Sequence, residues 1–247
     1  MIISFVGPIA SGKTTQRLLL CKEHRTRGER VLTLTYPPFS FSTNIIFVLH
    51  KQLRGLQFGS SANGTNQSNA IAYLETHDRN IVTRIIGMAI LVDTLQLLFA
   101  AVLFSAISRL KTMVLIEDYI PVVLGDHILY SKVYPGIDLR RDRFLILVLH
   151  RLIQRIAQKD CDSSVCIYLE APTEERVRRS KARGYREVKA EILHDRFRSA
   201  SLKPICLKVW KRVISIDTGT SSPAHTFIGV SRLLDMHSST RPVPPSR

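Results

Sequence analysis

Residues 1–16 read MIISFVGPIASGKTTQ, and this stretch decides the fold. The run Ile2–Val6 is short, apolar and without alternation, which predicts a parallel strand buried on both faces. A helical pattern covers Lys13 to about Thr26. The glycine-rich segment Gly7–Thr14 therefore joins a predicted strand to a predicted helix, the arrangement of the first strand-helix unit in an open parallel sheet.

The segment Gly7–Thr14 matches the pattern G-x-x-x-x-G-K-[ST] of a phosphate-binding loop, or P-loop. Glycines in such a loop allow backbone amides to wrap around a β-phosphate, and the helix N-terminus adds a favourable dipole. Lys13 is expected to bridge the β- and γ-phosphates, and Thr14 to offer its hydroxyl to Mg²⁺. The sequence thus predicts a site for ATP and Mg²⁺ formed by Gly7, Ala10, Ser11, Gly12, Lys13, Thr14 and Thr15.

A second signal is the apolar segment Met113–Glu117, which ends in the adjacent acids Glu117 and Asp118. In a P-loop architecture a carboxylate at this strand end holds a magnesium-bound water or orients the phosphoryl acceptor. Strand alternation predicts that one of the two acids faces the site. We expect Glu117 first, as a catalytic residue and metal ligand, and Asp118 second. The alternative is a pair of solvated acids at a strand end.

The third signal is a basic segment that follows the predicted strand 164–170. Arg179 and Arg183 stand four residues apart and share one face of a helix, a spacing that lets both reach the same phosphate chain. Planar guanidinium groups that close over the phosphates would stabilise the transition state of phosphoryl transfer. We therefore expect a catalytic lid around residues 173–197, with Gly184 as its hinge. A solvated basic helix is the alternative.

The rest of the chain alternates strand and helix signals. Strands are predicted over 2–6, 30–36, 113–117, 164–170 and 212–217. Helices are predicted over 13–26, 43–56, 70–110 with a break near Gly87, 139–157, 173–197 as a pair, and 223–236. Residues 59–69 are rich in Gly, Ser and Asn and predict an exposed loop. The fold class is α/β: a three-layer α/β/α sandwich around a five-stranded parallel sheet of the P-loop NTPase type. Residues 1–236 form one domain, and 237–247 a disordered tail.

The charge balance favours polyanionic partners. The chain has 247 residues, and its 35 Lys and Arg exceed its 20 Asp and Glu, which leaves a net charge of +15. Nucleotides, nucleic acid and an acidic membrane surface all fit such a charge. A basic lid accounts for part of the excess, and a solvated surface is the alternative for the rest. Nucleotide substrates are the partners that we expect, and nucleic acid is allowed by the charge but not favoured.

The apolar run from Ile85 to Ile107 approaches the length of a membrane span. Asp93 lies inside it, and a charge there is costly in a bilayer, so we expect a buried core helix and do not favour a membrane. The same helix could serve as a homodimer face. Met1 leads directly into the first strand and the loop, which leaves no room for a secretory signal, and the four cysteines show no metal or disulfide spacing. We expect a cytoplasmic protein.

These motifs together resemble thymidylate kinases and their relatives among the nucleoside monophosphate kinases. The resemblance rests on the string Gly7–Gln16, the Tyr36-Pro37 turn, the long helix with Asp93, the acidic strand end and the basic lid. It implies transfer of the γ-phosphoryl of ATP to a nucleoside or deoxynucleoside monophosphate. We expect Pro37 and Asp93 to contribute to the acceptor site. Arg54 and Arg84 are candidates to bind the acceptor's monophosphate, and the alternative is that they are ordinary surface arginines.

The chain departs from this family at two arginines. Thymidylate kinases usually end the third strand in Asp-Arg and an aromatic residue, whereas this chain has Glu117-Asp118-Tyr119. Asp93 is followed by Thr94 where the family has arginine. The glutamate is instead similar to the strand-end acid of deoxynucleoside kinases. Three alternatives thus stay open: a nucleoside kinase, a regulatory or nucleic-acid-associated P-loop ATPase, and an inactive pseudo-kinase that binds nucleotide.

Overall fold

A computed structural model of the chain describes residues 1–35, 79–125, 143–159, 164–184, 200 and 202–239. The strands are β1 (Ile2–Val6), β2 (Val31–Thr35), β3 (Met113–Glu117), β4 (Ser164–Glu170) and β5 (Val213–Asp217). The helices are α1 (Lys13–Thr26), α2 (Arg79–Arg109), α3 (120–125), α4 (Arg143–Lys159), α5 (Thr173–Ala182), α6 (202–209) and α7 (Pro223–Ser239).

The five strands form one parallel sheet in the order β2-β3-β1-β4-β5. β1 is central, and all five of its residues are buried because helices cover both faces. The register pairs Phe5 with Glu117 on one side and with Ile167 on the other. The carboxyl ends of β1, β3 and β4 therefore meet at the same edge of the sheet, where ligands bind in open α/β folds.

Side-chain alternation along β1 divides the core into two layers. Ile2 and Val6 belong to a cluster that includes apolar residues of α2, α4 and α6. Ile3 and Phe5 belong to the cluster on the opposite face, which includes residues of α1 and α7. The predicted three-layer α/β/α fold with a five-stranded parallel sheet is confirmed.

Three helices differ from their prediction. α2 runs unbroken through Gly87, since one glycine costs a helix about 1 kcal/mol and packing of this long helix on the sheet exceeds that cost. α4 ends at Lys159, two residues later than predicted. α7 continues to Ser239, so the predicted tail begins too early. The predicted helix 43–56, the loop 59–69 and the lid residues 185–197 lie outside the described part of the chain.

The helix α6 was not predicted from the sequence. Leu202, Ile205, Cys206 and Val209 are buried at spacings of three, one and three residues, which is a helical stripe. Pro204 obscured this signal, because proline usually interrupts the interior of a helix.

α2 has one buried face and one exposed face. Its segment Ile90–Arg109 has a mean hydropathy of 2.2, is long enough to cross a membrane, and has 39% of its window buried inside the protein. The buried side includes Leu97 and Phe104, which pack in the core as predicted for a core helix. The exposed side carries Leu95, Phe99, Val102 and Leu103, and the neighbouring α4 adds Val148 and Leu152. We call these six residues the apolar face.

Candidate functional site

The backbone of the P-loop adopts conformations that its small residues permit. Gly7, Ala10 and Gly12 have positive φ values of 152°, 62° and 94°. A Cβ atom on Gly7 would lie 2.2 Å from the carbonyl oxygen of Leu169 on β4, closer than any side chain tolerates. The glycine is therefore required where the chain leaves β1 and turns past the neighbouring strand.

Lys13, at the start of α1, is 7% exposed. Its Nζ donates to the carbonyl oxygens of Gly7 and Pro8, at 2.9 and 3.0 Å, and lies 3.5 Å from Oδ1 of Asp118. The ammonium thus lies inside the curve of the loop, and the acid after β3 compensates its charge. This is the position from which a P-loop lysine meets phosphate oxygens.

Thr14 and Glu117 contact each other directly. The Thr14 hydroxyl donates to Oε1 of Glu117 at 2.8 Å, and the carboxylate is buried. The other carboxylate oxygen, Oε2, is buried without a hydrogen bond and lies 3.4 Å from Nε of Arg17. A hydroxyl and a carboxylate with spare lone pairs are ligands that Mg²⁺ prefers, so this pair fits a magnesium ion.

Both strand-end acids face the P-loop, so the prediction that only one does was wrong. Strand alternation ends at Glu117, because Asp118 has a left-handed backbone with φ of 55°. This turn brings the Asp118 carboxylate back towards Lys13, while Glu117 meets Thr14. Aspartate tolerates the left-handed region better than most residues do.

Arg179, on α5, forms hydrogen bonds with Glu175 on its own helix, with the P-loop and with Thr218 after β5. Its Nε donates to Oε1 of Glu175 at 2.7 Å, and its Nη1 lies 3.4 Å from the carbonyl oxygen of Ala10 in the P-loop. The two terminal nitrogens also donate to the hydroxyl and carbonyl oxygens of Thr218, at 3.2 and 2.5 Å. The guanidinium is therefore held beside the P-loop by groups of the protein itself.

Glu175 organises the basic face of α5. It accepts two hydrogen bonds from Arg178, at 2.7 and 2.8 Å, besides the one from Arg179. These bonds, that of Arg178 foremost, lower the pKa of the Glu175 carboxyl to about 2. The carboxylate therefore stays ionised at neutral pH, and the arginines keep their anchor. Arg183 directly follows the end of α5 at Ala182, and Gly184 beyond it has a φ of 83°.

A cleft of about 520 Å³ opens between the P-loop helix, α5 and the segment after β5. Arg179 and Arg183 both line it, together with Ser11, Gly12 and Thr15 of the predicted binding set. The other residues that line the cleft were not predicted as site residues. They are Gln16, Glu175, Arg178, Ala182, residues 218–223 and Thr226. For residues 218–222, the sequence signal was the run of small polar residues after β5, at the same sheet edge as the P-loop.

Thr218 fixes that missed segment to the P-loop. Its hydroxyl lies 2.9 Å from the carbonyl oxygens of both Ser11 and Glu170, and its amide donates to the latter at 2.7 Å. Further along, Gln16 on α1 donates to the carbonyl oxygen of Pro223 at 3.0 Å. The β5 edge and the phosphate loop are thus one connected surface.

The predicted acceptor residues are not brought together in the described part of the chain. Pro37 and Arg54 lie outside it, and Arg84 is placed only as a backbone position on α2. Asp93 lies on α2, half-buried, and does not line the cleft.

No protein-family model and no curated protein matches this sequence. Among solved structures, a thymidylate kinase from Candida albicans superposes with a TM-score of 0.51 at 11% identity, over 99% of this chain and 95% of that one. The chain has a thymidylate kinase-like fold. A thymidylate kinase from Ehrlichia chaffeensis gives a TM-score of 0.48 at 15% identity, over 96% and 98% of the two chains. The expected fold is confirmed, and at such identities the likeness concerns the fold alone.

The contact of Gly7 with β4 gives a prediction for stability. Gly7→Ala is expected to destabilise the protein by about 1–3 kcal/mol, because the new Cβ must displace backbone rather than a flexible side chain. Urea unfolding measures this change. Gly229→Ala is the control, since a Cβ there meets nothing within 4 Å on α7 and should stabilise by up to about 1 kcal/mol. Equal stability of the two variants would contradict the geometry.

Proposed function

We propose that this protein is a nucleotide kinase that transfers the γ-phosphoryl group of ATP to a nucleoside or deoxynucleoside monophosphate. One observation carries the proposal: the P-loop residues Lys13 and Thr14 contact the two strand-end acids, Asp118 and Glu117, at the sheet edge where Arg179 also reaches the loop. Cation, hydroxyl, carboxylate and guanidinium are the groups that phosphoryl transfer requires, held in one place.

Each residue has a role in this proposal. The P-loop amides and Lys13 would bind the phosphate chain, and Arg179 and Arg183 would balance the charge that develops on the transferred group. Thr14 and Glu117 would hold Mg²⁺, directly or through a water, and the ion when bound neutralises phosphate charge. Asp118 would keep Lys13 in the loop. Catalysis would consist of positioning and charge neutralisation.

The cleft supports the donor side of the proposal. It begins at Ser11, Gly12 and Thr15 and extends along the polar segment 218–223, which leaves about 520 Å³ for a nucleoside next to the phosphate loop. Pockets for drug-sized ligands have volumes of about 300–1,000 Å³. We propose that ATP lies along it.

The acceptor side rests on the family resemblance and on the fold. Pro37, Arg54, Arg84 and Asp93 remain proposed acceptor-binding residues. The contacts of Glu117 favour a monophosphate kinase over a nucleoside kinase, since a carboxylate engaged by Thr14 and adjacent to Arg17 is placed to serve a metal rather than a sugar hydroxyl. We further propose that the protein acts in the cytoplasm on nucleotides, with neither nucleic acid nor a membrane as its main partner.

A phosphoryl-transfer screen tests this function. Wild type with ATP and Mg²⁺ is expected to phosphorylate at least one nucleoside monophosphate and no nucleoside, measured by separation of the nucleotide products. Lys13→Met should lower turnover by at least about 100-fold, because it removes the cation from the phosphate chain. Arg25→Met, on the exposed end of the same helix, is the control and should retain activity. ATP binding with no acceptor phosphorylated would leave the kinase proposal without support and favour a regulator or pseudo-kinase.

We propose that a second copy of the chain covers the apolar face. The six side chains are each between 42% and 70% exposed, and a large exposed apolar patch is typical of an interaction surface. A stable dimer buries about 800 Å² per partner. A surface formed by two packed helices pairs with its own copy about a two-fold axis as a four-helix bundle.

Sedimentation velocity tests this dimer. Wild type is expected to sediment as a dimer, and Phe99→Glu as a monomer, because the 70% exposed Phe99 lies on this face. Leu207→Glu is the control, since Leu207 is also largely exposed but lies on α6. A monomeric wild type, or a Phe99→Glu variant that remains dimeric, would refute the proposal.

A further inference from the structure

Arg17 is a buried cation next to the candidate magnesium site. It lies one helical turn beyond Lys13 on α1, and its side chain is 9% exposed. Its guanidinium donates to the hydroxyl of Thr33 on β2, and its Nε lies 3.4 Å from Oε2 of Glu117. Guanidinium groups are rarely buried unless they are paired, so this burial requires an explanation.

The contacts of Glu117 divide between its two oxygens. Oε1 accepts from Thr14 at 2.8 Å, whereas Oε2 faces Arg17 without forming a hydrogen bond. Arg17 therefore acts on the carboxylate mainly as a fixed positive charge, and Oε2 keeps its lone pairs. The carboxylate is thus held in one orientation, with an oxygen still able to accept.

Charge is balanced within this buried group. Lys13 lies next to Asp118, and Arg17 lies next to Glu117, which gives two cations and two anions at the same sheet edge. Positions 13 and 17 are four apart on one face of α1, and positions 117 and 118 are adjacent. Arg17 therefore supplies the counter-charge of Glu117, as Lys13 supplies that of Asp118.

We propose that Arg17 is a positioning residue that orients Glu117 for magnesium. This inference rests on the proposed function for the identity of the ligand. Arg17 acts through Glu117 and touches neither phosphate nor metal. The competing explanation is that Arg17 only ties α1 to β2 through Thr33.

Manganese binding distinguishes the two explanations without requiring turnover. Free Mn²⁺ is measured by electron paramagnetic resonance during titration of the full chain in the presence of ADP. Arg17→Met should weaken Mn²⁺ affinity about 10-fold, as loss of an outer-shell partner of a metal ligand does. Arg17→Lys should recover part of the loss, and Arg25→Met, the same substitution at the exposed end of α1, should leave the affinity unchanged.

Thr33→Val separates the charge of Arg17 from its tie to β2. This variant keeps the cation and removes its hydrogen-bond acceptor on the strand. If Arg17 positions Glu117, Thr33→Val should retain Mn²⁺ affinity within about 2-fold. A structural tie alone predicts that Thr33→Val and Arg17→Met lower the unfolding temperature alike and leave Mn²⁺ affinity unchanged, which would overturn the inference. If Arg17→Met does not fold, Arg17→Lys takes its place in the comparison with Thr33→Val.

The manganese titration distinguishes failure of this inference from failure of the proposed kinase activity. A wild type that binds Mn²⁺ with ADP but phosphorylates no acceptor would refute the kinase and leave the role of Arg17 intact. A wild type that binds no Mn²⁺ in the presence of ADP would refute both. Loss of metal-free ADP affinity in Arg17→Met equal to its loss of Mn²⁺ affinity would also overturn the inference, because it would indicate general damage to the loop.

Discussion

The buried ammonium of Lys13 is the constraint on which the functional edge depends. A buried cation is stable only where acceptors and a counter-charge surround it. Two of its acceptors are P-loop carbonyl oxygens, which exist in this arrangement only if the loop curls back over the start of α1. Its counter-charge is Asp118, which reaches it only because the chain leaves β3 with a left-handed residue. Burial of the Lys13 ammonium thus requires three features at once: the loop conformation, the β1-β3 pairing and the turn after β3.

Hydrogen bonds connect the P-loop to α5 and to the segment that follows β5. Arg179 connects α5 to the P-loop carbonyl of Ala10 and to Thr218, and Thr218 connects the segment after β5 to Ser11 and to the end of β4. The basic helix is therefore docked on the phosphate loop, and Glu175 holds its guanidinium groups in place. In the proposed kinase, such positioning would reduce the reorganisation that catalysis requires, because the protein's own groups hold the guanidinium groups in place.

The sequence predicted what depends on local pattern. All five strands and the glycine loop follow from short apolar runs and the spacing of Gly7, Gly12 and Lys13, and the parallel sheet then requires that the strand ends meet. The rest depends on tertiary contacts. The sequence around Gly87 does not show that packing of the 31-residue helix α2 outweighs the destabilisation of a helix by one glycine. The helix over 202–209 was obscured by a proline, and Arg17 resembles any helical arginine until β2 and β3 are placed beside it.

Every role proposed above requires that the P-loop and the acid at the end of β3 form one site for ATP and magnesium. Calorimetric titration of wild type and Glu117→Gln with ATP, in the presence and absence of Mg²⁺, tests it most directly. Wild type is expected to bind ATP at least about 10-fold more tightly with Mg²⁺. Glu117→Gln should lose that gain and keep its affinity for metal-free ATP, because the Lys13 loop is untouched. An equal Mg²⁺-dependent gain in both proteins, or no binding of ATP to wild type, would contradict it.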